Sequence, residues 1–245
     1  MIDLHAHILP GVDDGPATME EAVEMCRVAA DDGVETIIVT PHQRHGFWPN
    51  DDRRILKALF KKLCSATGGR PALALGAEIR VDSELLHEVD LLPGGSLLAL
   101  AGSRYLLLEF ASVLSEPDPR PVVHELTVAG WFPILAHPER IPWFMDQQAL
   151  LAELVERGAL VQLTAGSVTG EQGRGPQACC YLLLDEDLVH FVATDTHDAQ
   201  LRPPRLSEAF RAIAEGWGDA RARRLINENP RAVLENRPLS SHNAR

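Results

Sequence analysis

The sequence predicts an α/β fold, a distorted (β/α)7 TIM-like barrel with its reactive groups at the C-terminal ends of the strands. Three observations point there. Short apolar runs alternate with helix-like stretches along all 245 residues, the pattern of βα units that build a parallel sheet. Several runs are apolar at every position, as parallel strands buried on both faces require. Six of them, MIDLHAH, TIIVTPH, ALALGAE, YLLLEF, FPILAHP and VHFVATDTH, end in one or two acidic or imidazole side chains. That end of a barrel strand is where such folds place their chemistry.

Taken in order, residues 1–5 form the first strand, followed by the loop HAHILPGVDDGPA. Thr18 caps the next helix, with Glu21 three residues on completing a capping box. Met19, Ala22, Val23, Cys26 and Ala30 give that helix an apolar stripe of helical period, and Gly33 ends it. Strand 36–40 leads through a polar loop containing Phe47 and Trp48 to helix 51–66, whose apolar positions include Ile55, Leu56, Leu59, Phe60 and Leu63. Then come strand 72–78, helix 82–90, strand 105–110, helix 120–129, strand 131–136 and helix 147–157. Strand 160–164, helix 174–185, strand 189–194 and helices near 205–215 and 218–226 complete the pattern. No linker, internal repeat or low-complexity block interrupts it. The expectation is therefore one domain over 1–235 and a polar, frayed tail over 236–245.

Composition narrows the function. Hydrophobic residues make up 45% and charged residues 24%, ordinary for a globular chain, while aromatics at 5% imply an aliphatic core. A net charge of −12 argues against wrapping nucleic acid or docking on anionic lipid. Cys26, Cys64, Cys179 and Cys180 form no CxxC pair, so reduced thiols and a cytoplasmic setting are expected. The chain opens on a strand rather than a basic and apolar leader. No apolar run approaches the ~20 residues of a membrane span.

Seven residues at or just past strand ends, joined by two from nearby, are the informative set: His5, His7, Asp14, His42, Glu78, Glu109, His137, Asp195 and His197. His-x-His at 5 and 7, and Asp-x-His at 195 and 197, each put two donors on one face of an extended segment. The two pairs lie on the first and last strands, which are neighbours in a closed barrel. A lone His-x-His is weak, His42 alone could cap a loop, and Glu109 alone could pair with an arginine. Jointly, unpaired acids and imidazoles at buried strand ends are too costly to be incidental. Imidazole and carboxylate without thiolate suit Mn²⁺, Fe²⁺ or Zn²⁺. Nine donors exceed the needs of one ion, so two or three ions sharing a bridging carboxylate are expected, with hydroxide between two of them as a nucleophile. His45, His87, His124, His190 and His242 lack the strand-end pattern and are read as structural or surface residues.

These residues carry a resemblance. The opening IDLHAHILPGVDDGP, followed by TPHQRHG, GAEI, SRYLLLEF, AHPER, DLVHFVATDTH, RPPRLSEAF and NENPRAVLE, resembles the polymerase and histidinol phosphatase (PHP) superfamily. More narrowly, it resembles the bacterial manganese-dependent protein-tyrosine phosphatases of capsule and exopolysaccharide synthesis, the CpsB/CapC/YwqE type. The likeness spans nearly the whole chain. It departs at TAGSVTGEQGR (164–174) and is loose over 43–52. The resemblance implies one ion held by His5, His7, Glu78 and Asp195, a second by Glu78, Glu109 and His137, and a third by Asp14, His42 and His197, with Mn²⁺ first choice. It makes Arg140 and Arg202 the phosphate-gripping groups. The chemistry then asks that either a metal-held water or a nearby acid such as His42 or Asp14 protonate the leaving phenolate. The resemblance implies as substrate the phosphotyrosine tail of a tyrosine kinase that controls polysaccharide export.

Rivals are a small-molecule phosphatase of the histidinol-phosphate kind, a DNA-end phosphatase, which the acidic charge disfavours, and a metal-binding module without catalysis. A cysteine mechanism would use Cys64-x5-Arg70. That stretch closes a helix instead of opening one, so the thiol faces the negative helix end, the wrong environment for a thiolate.

Overall fold

The computed structural model describes residues 1–82, 84–85, 95–112 and 118–239. The helix expected at 82–90 falls mostly outside this set, as do His87, His242 and the last six residues. Nine parallel strands are present among the described residues: β1 (Ile2–Ala6), β2 (Thr36–Val39), β3 (His42–Gln43), β4 (Ala72–Leu75), β5 (Glu78–Arg80), β6 (Tyr105–Glu109), β7 (Phe132–Ala136), β8 (Leu160–Thr164) and β9 (Phe191–Ala193). They form a three-stranded sheet, β1-β2-β4, and a six-stranded sheet, β3-β5-β6-β7-β8-β9.

The strands expected at 36–40 and 72–78 are each broken in two. β2 pairs with β4 and, beyond Pro41, β3 pairs with β5. Counting each broken strand once restores the seven expected positions. The second break has a packing cause: a Cβ on Gly76 would lie 2.8 Å from Leu100 Cδ2 and 3.0 Å from Leu100 Cα. Only glycine lets the chain pass there before Glu78 turns into the second sheet. The first and last strands meet as the sequence requires. Asp195 donates its N–H to the His5 carbonyl and His7 to the Thr196 carbonyl, both at 2.9 Å.

Local signals act as expected at the helix starts. In α1 (Met19–Asp31) the Thr18 hydroxyl accepts from Glu21 N–H, and the Glu21 carboxylate accepts from Thr18 N–H. Asp52 caps α2 (Arg53–Thr67) and Asp118 caps α3 (Pro119–Val128) through their carboxylates. Cys64 lies near the end of α2, and burial pushes its thiol up, consistent with an inert residue. Asp219–Arg223 falls within the helix expected near 218–226, and three other short helices had no clear periodic signal: Pro142–Met145, Ala165–Thr169 and Asn229–Leu234. Their lengths of four to six residues are too short for an apolar repeat to show.

Alternate residues on each strand feed two buried clusters. Leu106, Leu108, Leu135, Val161, Leu163 and Val192 join the layer of helix-packed side chains. Leu4, Ile38, Tyr105, Leu107, Ile134, Phe191 and Ala193 form a second, smaller cluster. This is the two-sided burial that the apolar runs predict. Among the described residues no helix is long and apolar enough to cross a membrane.

Candidate metal centre

β1 delivers His5 from the strand and His7 just beyond it, with both side chains fully buried. The loop that follows folds back because Gly15 packs on the strand end, where a Cβ would stand 2.6 Å from the His7 carbonyl oxygen. That return brings Asp13 and Asp14 over the mouth. β3 and β5 place His42 and Glu78 side by side in register. β6 ends in Glu109. His137 and Asp195 follow β7 and β9 in left-handed backbone, with φ 34° and 51°. Such geometry is unfavourable for residues with a Cβ and tends to cluster at functional sites.

All nine residues converge. His7, Asp14, His42 and His197 each bring one donor atom within 4.8 Å of the others, and so do three further groups: His5, His137 and Asp195; His5, His7 and Glu78; and His42, Glu78 and Glu109. Glu78 belongs to two groups, next to His137 Nε2 at 2.8 Å and His42 Nδ1 at 3.1 Å. The grouping differs in detail from the one the resemblance implies. His42 joins Glu78 and Glu109, while His137 lies against Glu78 and also with His5 and Asp195. Asp195 Oδ1 remains 3.5 and 3.6 Å from the Nε2 atoms of His5 and His7.

The charges are crowded. Burial alone would raise the Glu78 carboxyl, but His5, His137 and His42 hold it well below its ordinary value. Glu109 is pushed up, by burial and then by the Glu78 charge. Burial opposes protonation of His7 and His42, yet their carboxylate partners outweigh it and raise them to about 10 and about 11. Burial also works against the Asp14 charge, but His197 and His42 hold this carboxyl well below the usual range. Protons on His7 and His42 therefore offset part of the carboxylate charge.

The donor set fits divalent cations better than it fits itself. His42 Nδ1, Glu78 Oε2, Glu109 Oε2 and His137 Nδ1 are buried without a hydrogen-bond partner. His42 Nδ1 and Glu78 Oε2 approach to 3.1 Å without the alignment of a hydrogen bond. Unsatisfied buried polar atoms are costly, and several lone pairs converging on one small space are what a cation supplies a partner for.

Three contributors were not picked out from the sequence. Asp13 accepts from His7 Nδ1 at 3.0 Å and from His42 N–H at 3.2 Å. Gln162 Oε1 lies 3.0 Å from His5 Nδ1. With Nδ1 engaged, both histidines turn Nε2 toward the centre, where the two atoms are 3.1 Å apart. Asp3, raised to about 6 by burial, accepts from Thr194 Oγ1 at 2.5 Å and Thr194 N–H at 3.0 Å, tying β1 to the end of β9. Each left a faint trace: Asp3 shares the His5 and His7 face of β1, Gln162 is the lone polar residue within LVQL, and Asp13 adjoins Asp14.

Arg140 and Arg202 line the 150 Å³ depression over the centre together with Asp14, His42, Glu78, Glu109, His137, Asp195 and His197. Both guanidiniums pair with Asp195 Oδ2, Arg202 at 2.6 Å. Two planar forks at the rim of a cation-ready hollow suit an oxyanion.

A parallel α/β barrel with a carboxylate–imidazole centre at its strand C-termini defines a class of barrel hydrolases. Within it, this chain belongs to the capsular polysaccharide synthesis CpsB/CapC family, whose profile matches residues 1–235. It is 34% identical over 242 residues to the tyrosine-protein phosphatase YwqE of Bacillus subtilis, covering 98% of this chain and 93% of that protein. It is also 34% identical over 212 residues to the putative tyrosine-protein phosphatase CapC of Staphylococcus aureus, covering 86% and 82%. A solved chain described under crystal structures of YwqE from Bacillus subtilis and CpsB from Streptococcus pneumoniae, unique metal-dependent tyrosine phosphatases, superposes with TM-score 0.89 at 32% identity over 99% of this chain and 97% of that one. The phosphotriesterase of Mycobacterium tuberculosis gives TM-score 0.57 at 11% identity over 89% of this chain and 85% of that one, a likeness of fold alone.

Proposed function

We propose that this chain is a metal-dependent phosphomonoesterase that dephosphorylates tyrosine, acting on the phosphotyrosine tail of a bacterial tyrosine kinase of capsular or exopolysaccharide synthesis. One observation carries the proposal: nine imidazole and carboxylate donors gather in four overlapping groups beneath two arginines. His5, His7, Asp14, His42, Glu78, Glu109, His137, Asp195 and His197 would hold two to three divalent ions, with Glu78 shared. Manganese is first choice, and iron or zinc also suit this donor set. Such ions, when bound, polarise phosphoryl oxygens and lower the pKa of water.

The chain's own groups do the rest. Arg140 and Arg202 grip phosphate oxygens and orient the ester. Asp13 and Gln162 fix the ring orientation of His7 and His5. Asp14, held ionised, is a poor proton donor, and His42 gives up its proton when it holds an ion, which leaves solvent water as the proton source for the departing phenolate. Tyrosine needs little such help, because its side-chain pKa near 10 makes it a tolerant leaving group. The work belongs in the cytoplasm, where four free thiols are at home, and residues 1–235 act as one domain with 236–245 as a tail.

The test is hydrolysis of a phosphotyrosyl peptide, a phosphoseryl peptide and histidinol phosphate under identical Mn²⁺, beside elemental analysis with and without chelator. Two to three ions per chain and a clear preference for phosphotyrosine are expected. Equal rates on all three would remove the tyrosine assignment, and full activity after metal stripping would remove the mechanism.

A further inference from the structure

Beside the depression over the centre lies a larger cavity of 440 Å³. The two hollows share two lining residues, Arg140 and Arg202. We propose that this cavity is the subsite for the aromatic ring of the leaving group, and that its walls, not the aromatic rim at Phe47 and Trp48, select aryl over alkyl phosphates. The proposal deepens the phosphatase reading and rests on it.

Continuity is the first reason. A phosphate held by Arg140 and Arg202 stands at the junction of the two hollows. The inner one, at 150 Å³, has room for ions and a phosphoryl group but little else. The bridging oxygen and what it carries must therefore point outward. The outer cavity has a volume ordinary for a ligand pocket, about 300–1,000 Å³.

Wall chemistry is the second. Ala165, Pro176, Pro203 and Ala209 present small or flat apolar surfaces, suited to the faces of a ring. Leu201, on the same wall, is 88% exposed. A bound ring would cover it and recover the cost of an apolar side chain left in water. The rim is a poorer candidate. Trp48 is already stacked on His42, with ring centroids 5.5 Å apart and planes 9° from parallel. Among the described residues lining either hollow, none comes from 43–50.

The test uses the Mn²⁺-loaded full chain and two inert probes, phenylphosphonate and methylphosphonate, titrated by calorimetry beside inorganic phosphate. The wild type should prefer the phenyl probe by about tenfold, the scale of a modest apolar contact. Leu201→Asp and Thr169→Trp, the second filling the cavity from its wall, should each bring that preference near unity. Metal content and affinity for inorganic phosphate should stay unchanged in both, because phosphate alone needs only the inner hollow. Retention of the phenyl preference in both variants, or its loss in Trp48→Ala instead, would overturn the proposal. The two readings fail separately. A wild type that binds phenylphosphonate through this cavity but cleaves no phosphomonoester keeps the subsite and loses the phosphatase. A wild type that hydrolyses phosphotyrosine yet shows no phenyl preference loses the subsite and keeps the phosphatase.

Discussion

Along β6, Tyr105, Leu107 and Glu109 alternate onto the same face of one strand, yet the first two are fully buried in the apolar cluster and the third opens into the centre. β8 repeats the change: Leu160 packs on the apolar cluster, while Gln162, two residues on, supports His5. The N-terminal halves of the strands are thus a packed plug, and the C-terminal ends form a cage of ionisable groups. The plug holds by apolar burial. The cage is costly by itself, with buried acids and unpartnered nitrogens, and a cation would supply the missing partner. The barrel's stability and its chemistry are separated along a single strand direction.

The sharpest way to break this comparison is at the shared carboxylate. Glu78→Gln keeps the volume and removes the charge, so metal content should fall and phosphotyrosine turnover should drop by about a thousandfold or more, as loss of a main electrostatic support would bring. Wild-type metal stoichiometry in that variant, measured by elemental analysis, would show that Glu78 is no bridge.

The converse change is in the plug. Leu107→Ala should lower unfolding free energy by about 2–5 kcal/mol while the purified folded protein retains its ions. Chemical denaturation and metal analysis on the same sample read both. Metal loss without destabilisation would mean that the two halves are not separate.

A smaller effect is expected behind the cage. Asp13→Asn should weaken metal affinity by about 10- to 100-fold, the usual scale for a group that orients a ligand histidine. Competition with a fluorescent chelator measures it, and an unchanged affinity would leave Asp13 only a role in the loop.

The smallest effect concerns protons. His7 and His42 stand near 10 and 11 without ions, so at neutral pH both are protonated. A cation must displace those protons, and binding should therefore release protons and tighten as pH rises. Titration in a weakly buffered indicator solution at pH 7 reads the release directly. Its absence would mean that the imidazoles are not where the ion goes.

Much of the cage was legible in the sequence because strand ends are local. An apolar run of four to six residues announces a strand, and the polar residue that stops it lies at the mouth whatever the neighbours do. Seven of the nine residues stand out that way, two more lie nearby in sequence, and all nine fall within the four groups. The helix cap at Thr18 is local for the same reason. Asp13 and Gln162 were passed over because their partners, His7, His42 and His5, are reached through a loop return or across a barrel, and spacing carries no trace of that.

By itself the sequence determined the alternation of strand and helix, the residues available for chemistry and the end of the barrel on which they stand. Periodicity and capping act over a few residues, so they can be read without a partner in space. Tertiary structure alone decided the rest: the two-sheet break at Gly76, the meeting of His42 with Glu78 and Glu109, and the second cavity beyond Arg140 and Arg202. Each depends on how segments tens to more than a hundred residues apart tilt and meet, and that is set by packing of the whole chain.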